Sequence, residues 1–187
     1  MPLSPLGIFA KPAGISTSFE SIATVTVGAG GSSSANFTSI PSTYKHLQVR
    51  VLGRNTRASS SDDRAILRFN SDSGSNYSYH YIYGNGSSVA VTGQTNQTEI
   101  DYAIYFTAST AQANTFGVGI IDILDYGDTN KYKTVRCLSG YDLNGSGVAW
   151  MTSGSWRSTS AVTSVNVIPA NGNFPQYTSI ALYGIKG

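Results

Sequence analysis

The sequence predicts an all-β protein, an antiparallel β-sandwich of jelly-roll-like type carrying an extended N-terminal arm, and three observations predict it. Short runs rich in β-branched and aromatic residues recur from Ile22 onward, separated roughly every 8–12 residues by Gly, Ser, Asn and Asp. Several of these runs alternate apolar and polar residues with the period of a half-buried strand. No stretch carries helical periodicity with a cap, and no heptad, collagen triplet or strict internal repeat is present. At 187 residues the length suits one core, so residues 21–187 are expected to form a single sandwich domain behind an arm of residues 1–20.

The elements follow in order. Pro2, Pro5 and Pro12 oppose regular structure in the first segment, while Leu3, Leu6, Ile8 and Phe9 are too apolar for a solvated tail. An arm docking through these four residues and an arm packing on its own domain both stand open. The segment has neither a basic start nor a long apolar run, so no export signal is expected, and no later segment approaches the roughly 20 apolar residues of a membrane span. Synthesis in a host cytoplasm without membrane insertion is the corresponding expectation. Residues 22–27 and 36–40 flank the Gly/Ser-rich stretch 28–34 and are expected to pair as a hairpin.

In residues 45–52, Leu47, Val49 and Val51 alternate with His46, Gln48 and Arg50, giving one core face and one outward face. Ala65, Leu67 and Phe69 repeat this against Arg64 and Arg68. Asn70 to Asn76 has the alternating oxygens of a calcium loop but lacks its terminal Glu and its further Asp residues, so it is expected to be a Gly-containing hairpin turn. Residues 116–124 are apolar on both alternating sets, which predicts a central strand covered on both sides. Gly127-Asp128-Thr129-Asn130 then turns the chain into a long hairpin partner at 131–138. Residues 161–168 and 178–185 close the domain, the last strand being expected inside a sheet.

Composition narrows the function. Charged residues make up 12% of the chain, against about 25% in typical soluble domains, leaving a neutral, hydroxyl-rich surface. A net charge of +2 argues against a nucleic-acid partner, which needs a concentrated basic face. His46 and His80 are the only histidines and Cys137 the only cysteine, so neither a disulfide nor a structural zinc site can form within the chain. There is no Gly-x-Ser-x-Gly elbow, and Cys137 reads as a small buried residue. The acids lie mostly in turns; Asp122 and Asp125 lie on or beside a buried strand and are expected to bond neighbouring loop atoms and arginines. No enzyme activity, cofactor or metal is expected.

Two constellations remain. Tyr77, Tyr79, Tyr81 and Tyr83 project from one face of a strand and can line a sheet, meet a subunit or stack on glycan rings. Arg50, Arg54, Arg57, Arg64 and Arg68 can grip an acidic partner, or solvate outward faces and pair with Asp62 and Asp63.

Residues 37–50 (Phe-Thr-Ser-Ile-Pro-Ser-Thr-Tyr-Lys-His-Leu-Gln-Val-Arg), 117–125 with 130–134, and the closing 181–187 (Ala-Leu-Tyr-Gly-Ile-Lys-Gly) carry a resemblance covering nearly the whole chain. The sequence resembles small virion structural proteins of aquatic tailed phages, including cyanophages. The resemblance implies a place on the virion surface, as head decoration or as a tail-fibre or receptor-binding unit. It transfers no catalytic motif. The partners expected are other virion proteins of the capsid shell or tail, copies of the chain itself with a trimer preferred, and host surface polysaccharide for a fibre tip.

Overall fold

The computed structural model describes residues 18–187. The expected docking residues Leu3, Leu6, Ile8 and Phe9 lie outside the described residues. Among the described residues the chain forms strands β1 (Phe19–Thr26), β2 (Ala35–Phe37), β3 (His46–Gly53), β4 (Asp62–Phe69), β5 (Tyr77–Gly84) and β6 (Val89–Gln97), followed by β7 (Ile100–Thr107), β8 (Gly117–Ile123), β9 (Lys133–Asp142), β10 (Gly147–Trp156), β11 (Val165–Pro169) and β12 (Ser179–Ile185). They build an eight-stranded sheet in the order β1-β12-β3-β8-β9-β10-β5-β6 and a four-stranded sheet in the order β2-β11-β4-β7. Every neighbouring pair is antiparallel, and the two sheets pack as a sandwich. Phe19 and Glu20, assigned by sequence to the arm, already pair with Ile185 and Gly184 in β1.

The connectivity is that of a jelly roll with two insertions. Strands β1-β12-β3-β8 face β2-β11-β4-β7, four and four, and consecutive strands of this set change sheet except at β4 and β7, which are direct neighbours. The hairpin β5–β6 is inserted between β4 and β7, and the hairpin β9–β10 between β8 and β11. Both insertions extend the larger sheet beyond β8, so that it is twice as wide as the sheet that covers it.

This topology corrects two local expectations. Residues 22–27 and 36–40 do not pair: β1 joins β12 and β2 joins β11, in different sheets. The Gly/Ser linker crosses the roughly 10 Å between sheets, and Val27, Ala35 and Phe37 all bury in the one core that lies between them. Likewise, residues 70–76 are no hairpin turn but the passage from β4 in the small sheet to β5 in the large one.

Alternation sets the core. Leu47, Val49 and Val51 of β3 stand in register beside Ile123, Ile121 and Gly119 of β8, and all the apolar members are buried. Ala65, Leu67 and Phe69 close on them from the small sheet. Each Val, Leu, Ile or Phe so buried contributes about 1.5–3 kcal/mol. The final strand β12 lies between β1 and β3, as the sequence predicts.

A third expectation fails at β8. The strand is central, but only Ile121 and Ile123 are covered; Val118 and Ile120 point outward to solvent. The small sheet lies on one face alone, and among the described residues nothing packs on the other.

Candidate functional site

The residues that could carry catalysis are dispersed. His46 in β3 and His80 in β5 are separated by β8, β9 and β10, about 19 Å at the usual strand spacing. His46 Nδ1 accepts the backbone N–H of Asp125 at 3.0 Å. Burial keeps Cys137 protonated by pushing its thiol far up. Asp122 accepts from Gln48 at 2.8 Å and Arg136 at 3.0 Å. Asp125 is ion-paired with Lys45 and Lys131, which hold its carboxyl down at about 2. Asp72 accepts from Gly74 N–H, Asn76 and the Trp156 indole at 2.7–2.9 Å, so the loop that faintly matches a calcium site has its one carboxylate occupied by the protein itself. Among the described residues no three His, Cys, Asp or Glu converge as metal ligands.

The five arginines do not form one patch. Arg50 lies on the outer face of the large sheet, over the rings of Phe19 and Tyr183. Arg64 and Arg68 lie on the outer face of the small sheet and bond Asp101 at 2.6 Å and Glu99 at 2.7 Å. Arg57 reaches the buried Asp63 at 3.4 Å. Arg54 donates to the carbonyls of Ser109, Ala111, Gln112 and Thr115 and so organises the loop 108–116. Consecutive segments that change sheet cannot keep their charges together, and each guanidinium serves a different local structure.

The tyrosine row points inward, to the face of the large sheet that meets the small one. Tyr77 is fully buried, its hydroxyl accepting the Phe69 N–H at 3.1 Å, and Tyr79 is buried above it. Burial pushes both phenols up to about 12. These two are core residues and make no external contact. Tyr81 and Tyr83, near the other end of β5, are half-buried and enter an aromatic corner that includes four rings the sequence reading did not single out: Tyr102, Tyr105, Tyr141 and Trp150.

Trp150 is the centre of that corner. Tyr83, Tyr102 and Tyr105 lie parallel to its indole at 4.4, 4.9 and 4.5 Å between centroids. Tyr81 tilts against Trp150 at 4.4 Å and Tyr102 at 4.7 Å. Each such pair adds about 0.5–1.5 kcal/mol beyond the area it buries. Asp62 accepts the hydroxyls of Tyr105 at 3.0 Å and Tyr141 at 2.6 Å. Burial and the Asp62 charge raise both phenols strongly. Arg64 stands 4.5 Å over the Tyr102 ring, and Tyr102 itself holds φ at 56°, within the bulge where β7 slips against β4. The free edge of β7 is closed by side chains of the large sheet: Tyr105 N–H donates to Ser139 Oγ at 2.9 Å, and Thr152 Oγ1 donates to the Tyr102 carbonyl at 2.7 Å.

The opposite face of the large sheet is apolar and open. In register across five neighbouring strands stand Ile120, Leu138, Met151, Ile82 and Val91. Their exposures run from 39% at Ile120 to 71% at Val91. The next row holds Leu52, Val118, Gly140, Ala149, Gly84 and Val89, with no polar side chain. On the other side a polar row begins, Gln48, Asp122, Arg136, Ser153 and His80. Beside it a trough of about 660 Å³ runs between His80, Val91, Gly93, Arg136 and Met151. The signal for this face is present in the sequence, in the double alternation of residues 116–124; what was not legible is that no cover for it stands among the described residues.

No protein-family model matches the chain, and no curated protein matches it by sequence.

Proposed function

We propose that this chain is a non-enzymatic structural protein of the surface of a tailed-phage particle, serving as a capsid decoration or cement protein or as a tail-fibre or baseplate component. The observation that carries the reading is the pair of apolar rows spread over the outer face of the large sheet. Contiguous exposed apolar surface of this kind marks an assembly contact. The likeness of residues 37–50, 117–125, 130–134 and 181–187 to aquatic phage virion proteins supports the setting, as does a surface poor in charge. The wide separation of His46 and His80 and the occupied state of Asp72, Asp122 and Asp125 support a role without chemistry. The protein is then made in the host cytoplasm and carried on the particle.

The partner proposed for the apolar face is a second copy of this chain. The whole outer face of the large sheet, eight strands about 4.8 Å apart and about seven residues long, measures roughly 800 Å², the area per partner of a standard stable interface, and the apolar rows on β8, β9, β10, β5 and β6 form its dry part. Two identical sheet faces meet isologously and close as a two-fold pair. The proposed oligomer is therefore a dimer, where the sequence reading preferred a trimer.

The test is composition and position in the particle. Mass spectrometry of gradient-purified virions should find the chain in many copies, and gold-labelled antibody should place it on the head or tail exterior. Absence from purified virions made by the phage that carries the gene would refute the proposal.

A further inference from the structure

We propose that the aromatic corner and the hollow beside it form a binding site for a neutral saccharide. This goes beyond the assembly role: the hollow touches the end of the apolar face at Gly84 and Ala149 but is centred on the tips of the inserted hairpins, and the variants below let either proposal fail without the other.

The hollow lies between the tips of the two inserted hairpins, at residues 84–86 and 145–149, and has a volume of about 440 Å³. Small-molecule sites span about 300–1,000 Å³, so this one suits one or two sugar rings. Its polar lining comes from Asn85, Tyr141, Asp142 and Ser146. Gly86 and Gly145 hold φ at 89° and 128°, and a Cβ at either would meet nothing within 4 Å. No side chain therefore crowds the hollow at either position, and both hold conformations that side-chain-bearing residues adopt only under strain.

One row along the inner face from the hollow stands Tyr83. Its ring is stacked parallel on Trp150, and three parallel rings within 5 Å of one indole require both indole faces. Tyr102 and Tyr105 lie side by side on one of them, 6.1 Å apart, which leaves the other to Tyr83, itself half-buried and next in the chain to Gly84 of the lining. A pyranose ring combines an apolar C–H face with a rim of hydroxyls. It stacks on such a ring while carboxylate, amide and backbone groups bond its rim.

Two features fix the ligand class. The lining includes Asp142 and neither Lys nor Arg, so an anionic sugar meets repulsion and a neutral one does not. The rings are also held before any ligand arrives: Tyr105 and Tyr141 through Asp62, and Tyr102 through Arg64 and the Asp101 carboxylate that accepts its N–H at 2.9 Å. A preorganised platform loses little freedom on binding.

The test titrates the full chain with tetrasaccharides of glucose, of galactose and of N-acetylglucosamine, and with a galacturonic acid tetramer as anionic control. Tryptophan fluorescence and ligand-observed NMR report binding, since Trp150 is part of the stack. At least one neutral tetrasaccharide should give a saturable response and the anionic control none. Tyr83→Ala should weaken that response roughly tenfold, about the worth of one stacked ring. Ser146→Trp, which fills the hollow from an exposed tip without touching the core, should abolish it. Leu138→Asp, on the opposite face, should leave it unchanged. Failure of all three neutral probes, preference for the anionic control, or full binding by folded Tyr83→Ala and Ser146→Trp overturns the proposal.

Discussion

Leu138→Asp separates an assembly face from an idle one. Leu138 is 60% exposed and stands between Ile120 and Met151 in the apolar row. The isolated chain has little to lose there, so its unfolding free energy should change by no more than about 1 kcal/mol, the span of strand propensity. A face-to-face dimer has much more to lose. Fully burying a Leu is worth about 1.5–3 kcal/mol, and the fraction still exposed leaves about 1–2 kcal/mol to be gained on association. Both copies contribute, giving about 2–4 kcal/mol, before the cost of desolvating a carboxylate in the contact. At about 1.4 kcal/mol per decade the dimer should weaken between roughly thirtyfold and several hundredfold. Sedimentation equilibrium over a micromolar concentration series measures this, with circular dichroism confirming an unchanged thermal transition. Val91→Lys, on the far strand β6 of the same row, provides a second variant. A wild-type chain that remains monomeric throughout the series, or folded Leu138→Asp and Val91→Lys chains that associate as the wild type does, would refute the reasoning.

Three further outcomes follow from particular contacts. Arg54→Ala should destabilise the fold by about 1.5–3 kcal/mol, the range for hydrogen bonds to a charged group, with faster amide exchange confined to residues 108–116; Arg54→Lys should recover only part, because a point charge cannot span four carbonyls. Gly117→Ala places a methyl 2.6 Å from Phe106 Cβ and 3.1 Å from the Gly140 carbonyl, an overpacking that should cost about 1–3 kcal/mol in calorimetry, whereas Gly127→Ala, with nothing within 4 Å, should be silent. Burial raises the phenols of Tyr77, Tyr79, Tyr105 and Tyr141. A raised folded value leaves stability intact below the ordinary tyrosine value of about 10 and removes it as pH climbs toward the folded values, so alkaline unfolding and the tyrosinate absorbance of these four should rise together above about pH 10. Titration of all 12 tyrosines near pH 10 with the fold intact would contradict this.

How much the sequence discloses depends on whether the signal is local. Alternation in residues 45–52 and 64–69 placed Leu47, Val49, Val51, Ala65, Leu67 and Phe69 in the core because a strand's side-chain period is fixed by its own backbone. It said nothing of which sheet each strand joins. In a jelly roll most consecutive strands change sheet, so the hairpin expected between residues 22–27 and 36–40 gave way to the pairs β1 with β12 and β2 with β11. The arginines dispersed for the same reason. Tyr77 to Tyr83 share a face, as the period requires, but the strand's burial changes along its length: the first two phenols enter the core and the last two reach the open corner. The partners there, Tyr102, Tyr105, Tyr141 and Trp150, come from three other strands, and no spacing in one sequence announces such a meeting.

Both candidate surfaces have one structural origin. Eight strands suffice for the jelly roll, and four in each layer cover one another. The hairpins β5–β6 and β9–β10 add four strands to one layer and none to the other. Four strands occupy about 19 Å, so a sheet of four cannot cover a sheet of eight. Of the apolar row, Leu138, Met151, Ile82 and Val91 lie on the insertions and only Ile120 on the jelly roll itself. Of the aromatic corner, Tyr81, Tyr83, Tyr141 and Trp150 lie on the insertions, and Tyr102 and Tyr105 on the edge strand β7 that faces them. The inner faces of β9, β10 and the first half of β5 are covered, at Val135, Cys137, Thr152, Trp156, Tyr77 and Tyr79, so what stays open among the described residues is the tip end of these hairpins and their outward apolar row. Surface of that composition is stabilised by contact with something beyond the described residues, and placing it on hairpins outside the eight-strand core lets both contacts vary without disturbing the layers that fold the domain.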